Sequence, residues 1–277
     1  MRASVQYHLQ ISYAEPVRAV NQVLRLNPRG FDGQEIKDWR VDALPDARMR
    51  RSEDAFGNIV HSCSHDGPLD KLSIMAEGDI ETTDVAGMVR GLSERLPLEV
   101  FLRDTDSTHA DKDLLEFTRD ALSGEADPLG RMHALMAAVN EACAFAPGET
   151  EAPRAAKAVF AARSGSAREI AQVFVAAARG LGVPARFISG FYFGADEADG
   201  AGAHHAWAEA HVEPLGWIGF DPALGFCPRD QHLRIAQGLD FLGATPRRAA
   251  CFGPAREETT VLMTVDVGRQ ASWQAQQ

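Results

Sequence analysis

His205 and Asp221 are two acid–base residues whose spacing suggests a shared task, 16 positions apart on either side of a Pro214-Leu215-Gly216 turn. An imidazole held in one tautomer by a carboxylate is a general base, and such a base serves a nucleophile. The third stretch suited to chemistry lies upstream, at Gly165-Ser166-Ala167-Arg168-Glu169. Ser166 followed three residues later by Glu169 is a capping-box pattern. Apolar residues then recur at Ile170, Val173, Phe174, Ala177, Ala178 and Leu181, the period of a helix with one buried face. Gly180, Gly182 and Pro184 end it. The pattern predicts a buried helix with Ser166 as N-cap and Ala167 as its first residue. Unpaired N–H groups and the positive end of the helix dipole there stabilise an anion. A cysteine at that point would react as a thiolate. The residue is alanine, which cannot attack a carbonyl.

The elements that position these residues follow from periodicity. Val5 to Tyr13 alternates as a half-buried strand, Pro16 is expected to interrupt it, and Val20 to Leu26 reads as a second strand. Trp39 to Asp42, Ala47 to Arg50, Ile59 to Ser64 and Leu72 to Thr82 read as further strands, with a tight turn at Asp54-Ala55-Phe56-Gly57-Asn58. Residues 1–85 are therefore expected to be an all-β unit, a sandwich. A connector (86–104) leads to helices at 111–122, at 128 to about 144 behind an Asp127-Pro128 start, and at 155–162. Strands at 185–193, 206–212 and 217–220 follow the capped helix, with a Gly/Asp/Ala-rich loop at 195–203. The tail reads as a Pro/Arg-rich loop (245–256), a strand over 260–267 and a frayed end at 272–277.

Bulk composition narrows the function classes. The chain has 277 residues, 45% hydrophobic and 24% charged, enough for a proper core. A net charge of −11 without a Lys/Arg cluster argues against nucleic acid and anionic membrane surfaces as partners. No apolar run reaches about 18 residues, so no transmembrane helix is expected. The start lacks the apolar core of a signal peptide. Cys63, Cys143, Cys227 and Cys251 form no CxxC, so neither a zinc site nor a disulfide framework is indicated. The expectation is a cytoplasmic protein without metal or organic cofactor; the sequence leaves the oligomeric state open.

The residue text is more specific than the pattern. Gly165-Ser166-Ala167-Arg168-Glu169, the stretch from Arg179 to Phe187, His205-Ala206-Trp207-Ala208-Glu209 and Gly216-Trp217-Ile218-Gly219-Phe220-Asp221-Pro222 resemble the core of the bacterial transglutaminase-like family. The resemblance extends to Pro147-Gly148-Glu149-Thr150, to the family's N-terminal β-domain in Val23 to Pro28 and Asp54 to Asn58, and to His232-Leu233-Arg234-Ile235-Ala236 in the tail. It implies a papain-like Cys-His-Asp fold. His205 takes the place of the general base, Asp221 that of the carboxylate orienting it, and the backbone N–H of residue 167 that of an oxyanion-hole donor. The family's Gly-x-Cys-Arg-Asp/Glu becomes Gly-x-Ala-Arg-Glu here, so the nucleophile's place falls on Ala167 without any insertion.

Each of these residues also has a plain structural role to offer. Alanine suits any helix start, a strand histidine is commonly surface or satisfied core, and an aspartate before proline commonly ends a strand. The shared motif context raises Ala167, His205 and Asp221 above those roles. Ser166, His204 and Trp207 are the candidate substrate-binding residues, although Ser166 is first an N-cap and Trp207 first a packing partner of the imidazole. His211 reads as a solvated strand residue.

The fold expected is α+β: an N-terminal β-sandwich (1–85), the connector, a papain-like, transglutaminase-like core (105–225) and a C-terminal extension (226–277) with a strand packing back. The family's activity implies hydrolysis of a peptide or isopeptide bond through a thioester, with acyl transfer from glutamine to an amine second. As written, the chain is inactive by either route. A Cys→Ala replacement is favoured by the intact surroundings, and a natural pseudoenzyme that binds peptides is the other reading.

Overall fold

The computed structural model describes residues 1–147, 154–194, 203–253 and 256–268. The chain begins with a 26-residue strand, β1 (Arg2–Asn27). Val5, Tyr7, Leu9 and Ile11 turn inward on every second position, as alternation requires. Pro16 does not end this strand. The pairing with its partner slips between Ser12 and Val17, and in that irregular stretch the missing proline N–H costs no ladder bond. The two strands expected there are one.

Next come β2 (Gln34–Leu44), β3 (Arg50–Glu53) and β4 (Ile59–Thr82). Residues 47–49, expected as strand, are irregular, and the two strands expected over 59–82 are continuous. The Asp54–Asn58 turn closes as its residues dictate. Asp54 accepts the Phe56 and Asn58 N–H groups, and Gly57 adopts φ +79°.

A short 3-10 turn at Leu98–Leu102 precedes α1 (Lys112–Ala121) and α2 (Pro128–Ala142), capped by Asp111 and Asp127. After β5 (Ala144–Phe145), α3 (Ala156–Ala162) and β6 (Ser164–Gly165) comes α4 (Ala167–Gly180). This is the predicted helix, with its capping box in place. It is buried along nearly its whole length, and α1, α2 and α3 surround it.

The core sheet comprises β7 (Ala185–Tyr192), β8 (Ala203–Val212), β9 (Gly216–Phe220) and β10 (His232–Gly238), all antiparallel, in the order β10-β7-β8-β9. Phe220 stacks on Phe174 of α4 with ring centroids 5.3 Å apart, and Ala208 pairs with Phe220. The small side chains of Ala206, Ala208 and Ala210 thus turn toward the helix and permit close packing. The sheet runs past the expected boundary at 225 to take in β10.

After α5 (Phe241–Ala244) the chain returns as β11 (Arg247–Phe252) and β12 (Glu257–Val267). β11 lies in the stretch expected to be a loop. Both strands pair with β1, β12 with its first half and β11 with its second. The N-terminal β-domain is therefore one six-stranded hydrogen-bonded sheet, β11-β1-β4-β2 with β12 on β1 and β3 on β4, rather than two separate sheets. The architecture is mixed, an all-β domain joined to a helix-and-sheet core. No helix among the described residues is long and apolar enough to cross a membrane. Gly148–Thr150, most of the 195–203 loop and the 272–277 tail lie outside the described residues.

Two side-chain amides of the N-terminal domain reach the backbone of β10. Gln34 accepts the Arg234 N–H (2.8 Å) and donates to the Arg234 carbonyl (2.9 Å). Asn58 does the same to Gln237 (2.8 and 2.7 Å). Each amide thereby takes the role of a neighbouring strand along β10.

Candidate active site

The nucleophile's place expected from the sequence lies at the start of α4. β5 and β6 pair in parallel, and Ala146 N–H donates to the Gly165 carbonyl (2.8 Å), which fixes the approach to the helix. Gly165 has no room for a side chain, since a Cβ would meet Val159 at 2.9 Å and Glu169 at 3.2 Å. Glu169 then reaches back. Its carboxylate accepts the Ser166 N–H (3.0 Å) and the Ser166 hydroxyl (3.3 Å). The Ser166 hydroxyl thus spends a bond on Glu169. Arg154 clamps the same carboxylate through its side chain (2.9 and 3.0 Å) and its own N–H (3.0 Å). Burial alone would raise the Glu169 pKa, but Arg154 and the backbone donors hold it down at about 2. Ala167 follows as first helical residue, 6% exposed.

The expected base and its carboxylate are built on β8 and the turn after β9. His205 Nε2 lies 2.5 Å from Asp221 Oδ2. Asp221 is fully buried, and its Oδ1 accepts the N–H groups of Ala223 and Leu224 (both 3.1 Å). Asn140 of α2 pins this turn through the Pro222 carbonyl (2.8 Å). Burial raises the Asp221 carboxyl, yet the imidazoles of His205 and His232 outweigh it and leave the pKa at about 2. The carboxylate is charged throughout the neutral range.

His205 uses Nε2 for Asp221, and Nδ1 takes no hydrogen bond among the described residues. That nitrogen is the one left to receive a proton. Tyr192 lies beside the imidazole, with centroids 5.5 Å apart.

The remaining candidates fall in different places. His204, one residue earlier on β8, points to the other face, and its Nε2 is 3.0 Å from the Tyr7 hydroxyl of β1. It stands between the two domains, apart from His205. Trp207 is buried, edge-on to His232 (5.3 Å), with its ring over Gly190. His211 stacks edge-on with Trp217 at 5.4 Å and is only partly exposed, so it is not the solvated residue expected.

Sequence reasoning missed His232. Its Nε2 lies 3.1 Å from the same Asp221 Oδ2 that binds His205. The only signal was its position at the head of a motif in the tail. It also missed the buried Glu209, held by Arg186 (2.6 Å) and Arg234 (2.7 Å), which stay paired because both guanidinium groups and the carboxylate are removed from water.

His205, Asp221 and His232 bring ligand-type atoms within 4.8 Å of one another and are the residues to test for a metal. Their chemistry fits poorly. His232 Nδ1 accepts the Arg229 N–H (3.2 Å), so the proton of the neutral ring sits on Nε2. A cation on Nε2 would move that proton to Nδ1, against the Arg229 N–H.

A family model of the transglutaminase-like superfamily matches residues 116–222, and one of the bacterial transglutaminase-like N-terminal region matches residues 3–81. An uncharacterised protein of Mycobacterium leprae is 24% identical over 272 residues, covering 94% of this chain and 95% of its own length. One from Mycobacterium tuberculosis is 26% identical over 132 residues, 44% of this chain and 42% of the relative. Among solved structures, a "putative cysteine protease" of Cytophaga hutchinsonii shares the fold with a TM-score of 0.76 at 17% identity, covering 96% of this chain and 91% of the other.

Proposed function

The chain belongs to the transglutaminase-like superfamily, matched in both its core and its N-terminal region, and from that premise we propose that its site is built for cysteine-type chemistry at an amide bond and is disabled here by Ala167. The observation that carries this reading is the His205–Asp221 bond. It holds Nε2 as the protonated nitrogen and leaves Nδ1 as a base.

With a thiol at position 167, the S–H proton would pass to His205 Nδ1 and the thiolate would attack the carbonyl carbon of a peptide or isopeptide bond. The resulting oxyanion would sit at the start of α4, where N–H groups and the dipole favour negative charge. The imidazolium would return its proton to the leaving amine, and water would then hydrolyse the thioester. Hydrolysis is the first choice; transfer to an amine would follow if an amine reached the thioester first. The partner in either case is a peptide or protein chain. Ala167 lacks the S–H, so the first step has no reactant. The capping box, His205 and Asp221 are all present at their places in the motif, which favours replacement of a nucleophile. Ala167 itself supports the second reading, a peptide-binding pseudoenzyme.

An Ala167→Cys variant treated with iodoacetamide at about pH 6, with and without His205→Ala, tests the proposal. An ordinary thiol with a pKa of about 8.5 is nearly inert there, whereas a histidine-paired thiolate reacts. Burial pushes the thiols of Cys63 and Cys143 up, and that of Cys227 up to about 11, so peptide mapping has a quiet background from these three. Fast alkylation at 167 that disappears without His205 supports the reading, and slow alkylation indifferent to His205 rejects it. Peptide cleavage without added amine by the cysteine form then separates hydrolysis from transfer. Saturable peptide binding by the alanine form, with no activity gained from cysteine, identifies the binding module.

A further inference from the structure

Asp221 Oδ2 receives two imidazoles, and they differ at their far nitrogens. His205 Nε2 is 2.5 Å away and His232 Nε2 is 3.1 Å away. Behind His232, the Arg229 backbone N–H points at Nδ1 at 3.2 Å. A backbone N–H cannot reverse its role, so Nδ1 must offer its lone pair and Nε2 must carry the proton that Asp221 accepts. Behind His205, Nδ1 takes no such bond among the described residues. Among the described residues a second proton on His205 Nδ1 meets no donor, whereas one on His232 Nδ1 would set N–H against N–H.

The surroundings hold His232 in that state. Tyr192, Trp207 and Phe226 enclose the ring at centroid distances of 4.8, 5.3 and 6.0 Å. The charged or titratable groups that face it among the described residues are Asp221, His205, Arg229 and the Tyr192 phenol. Burial lowers its proton affinity and Asp221 raises it again, with the net direction downward.

We propose that His232 is a positioning residue of this site: its Nε2–H fixes the Asp221 carboxylate, and its blocked Nδ1 leaves His205 as the one imidazole of the pair able to take a proton from a thiol at position 167. The role in proton transfer rests on the proposed acyl chemistry; the tautomer does not. In that transfer the S–H bond breaks, an N–H bond forms at His205 Nδ1, and His232 keeps its single proton throughout.

Two measurements test it. In the chain with Ala167 in place, labelled with 15N-histidine, long-range 1H–15N spectra from about pH 8 to pH 5 are expected to show His232 with a protonated Nε2 and a bare Nδ1 throughout. The opposite tautomer, a second proton gained in this range, or stoichiometric zinc binding that shifts both His205 and His232 overturns the proposal.

In the Ala167→Cys background, His232→Phe removes the donor and His232→Gln offers an amide N–H in its place. Loss of one hydrogen bond to a charged group corresponds to a roughly tenfold fall in alkylation rate at residue 167 for the phenylalanine variant. The glutamine variant is expected to recover most of that rate. Equal loss in both, or loss in neither, overturns the positioning role. If Ala167→Cys is unreactive in every background, the acyl-chemistry reading and with it the role in proton transfer fail, and the spectra still decide the tautomer.

Discussion

Replacing Asp221 by asparagine keeps the shape of the side chain and removes the charge, and its cost can be worked from the hydrogen bonds around it. The amide oxygen can keep the Ala223 and Leu224 N–H groups, which puts the NH2 group where Oδ2 stood. It then faces two imidazoles. His205 can answer by moving its proton to Nδ1 and accepting through Nε2. His232 cannot, because Arg229 holds its Nδ1, so one buried donor is left against another. An unsatisfied buried donor costs about 1–3 kcal/mol. The charge adds a separate contribution. A carboxylate shifted from 3.8 to about 2 stabilises the folded state by about 2 kcal/mol at neutral pH. The total expected for Asp221→Asn is about 3–5 kcal/mol at pH 7. Because the folded pKa is the depressed one, this charge contribution is full above about pH 4 and is lost as pH falls through 2, with about half gone at pH 3. Urea titrations of both proteins at pH 7 and pH 3, followed by the fluorescence of buried Trp207 and Trp217, measure the difference. A penalty below about 0.5 kcal/mol at pH 7, or one that grows toward pH 3, would refute a charged, doubly bonded Asp221.

Two further substitutions probe the supports. Glu169→Gln loosens the Arg154 clamp and the back-bond to Ser166; after allowance for the solvent around half-exposed Arg154 the expected loss is about 1–2 kcal/mol at pH 7. The Glu169 pKa is also depressed, so the loss should shrink as pH falls from about 4.5 toward 2, which melting curves across that range would report. Gly190→Ala should cost at least about 2 kcal/mol, since its Cβ would meet the Leu233 carbonyl at 2.4 Å and the Trp207 ring at 2.5 Å; an unchanged urea midpoint contradicts that packing.

Much of this was legible where the chain's local chemistry decides the structure. The S-x-x-E pattern at Ser166 and Glu169 marked the start of α4, and Asp127-Pro128 marked α2. Local reading failed where a long-range partner decides. Pro16 looked like a strand end because a proline lacks a donor, and only the irregular pairing with β4 shows that none was needed. Residues 247–252 looked like a loop because their strand character comes from the open edge of β1. His204 could have been set apart from His205 by alternation alone, which sends neighbours to opposite faces of a strand. His232 could not, since its partner Asp221 is brought to it by the turn after β9 and by the pairing of β10 with β7.

The twofold use of β1 sets a timetable for synthesis on the ribosome. Its outer edge is completed by β11 and β12, and 164 residues (83–246) separate the end of β4 at Thr82 from the start of β11 at Arg247. At about 5–20 residues per second, β1 and β4 wait roughly 10–30 s with one long edge unpaired. Such an edge is a template for other chains. The N-terminal domain is thus first to emerge and last to finish, and the core must fold while tethered to an unfinished sheet. Slower translation lengthens that exposure, and a chain stalled before Arg247 would present β1 to its neighbours for as long as the stall lasts.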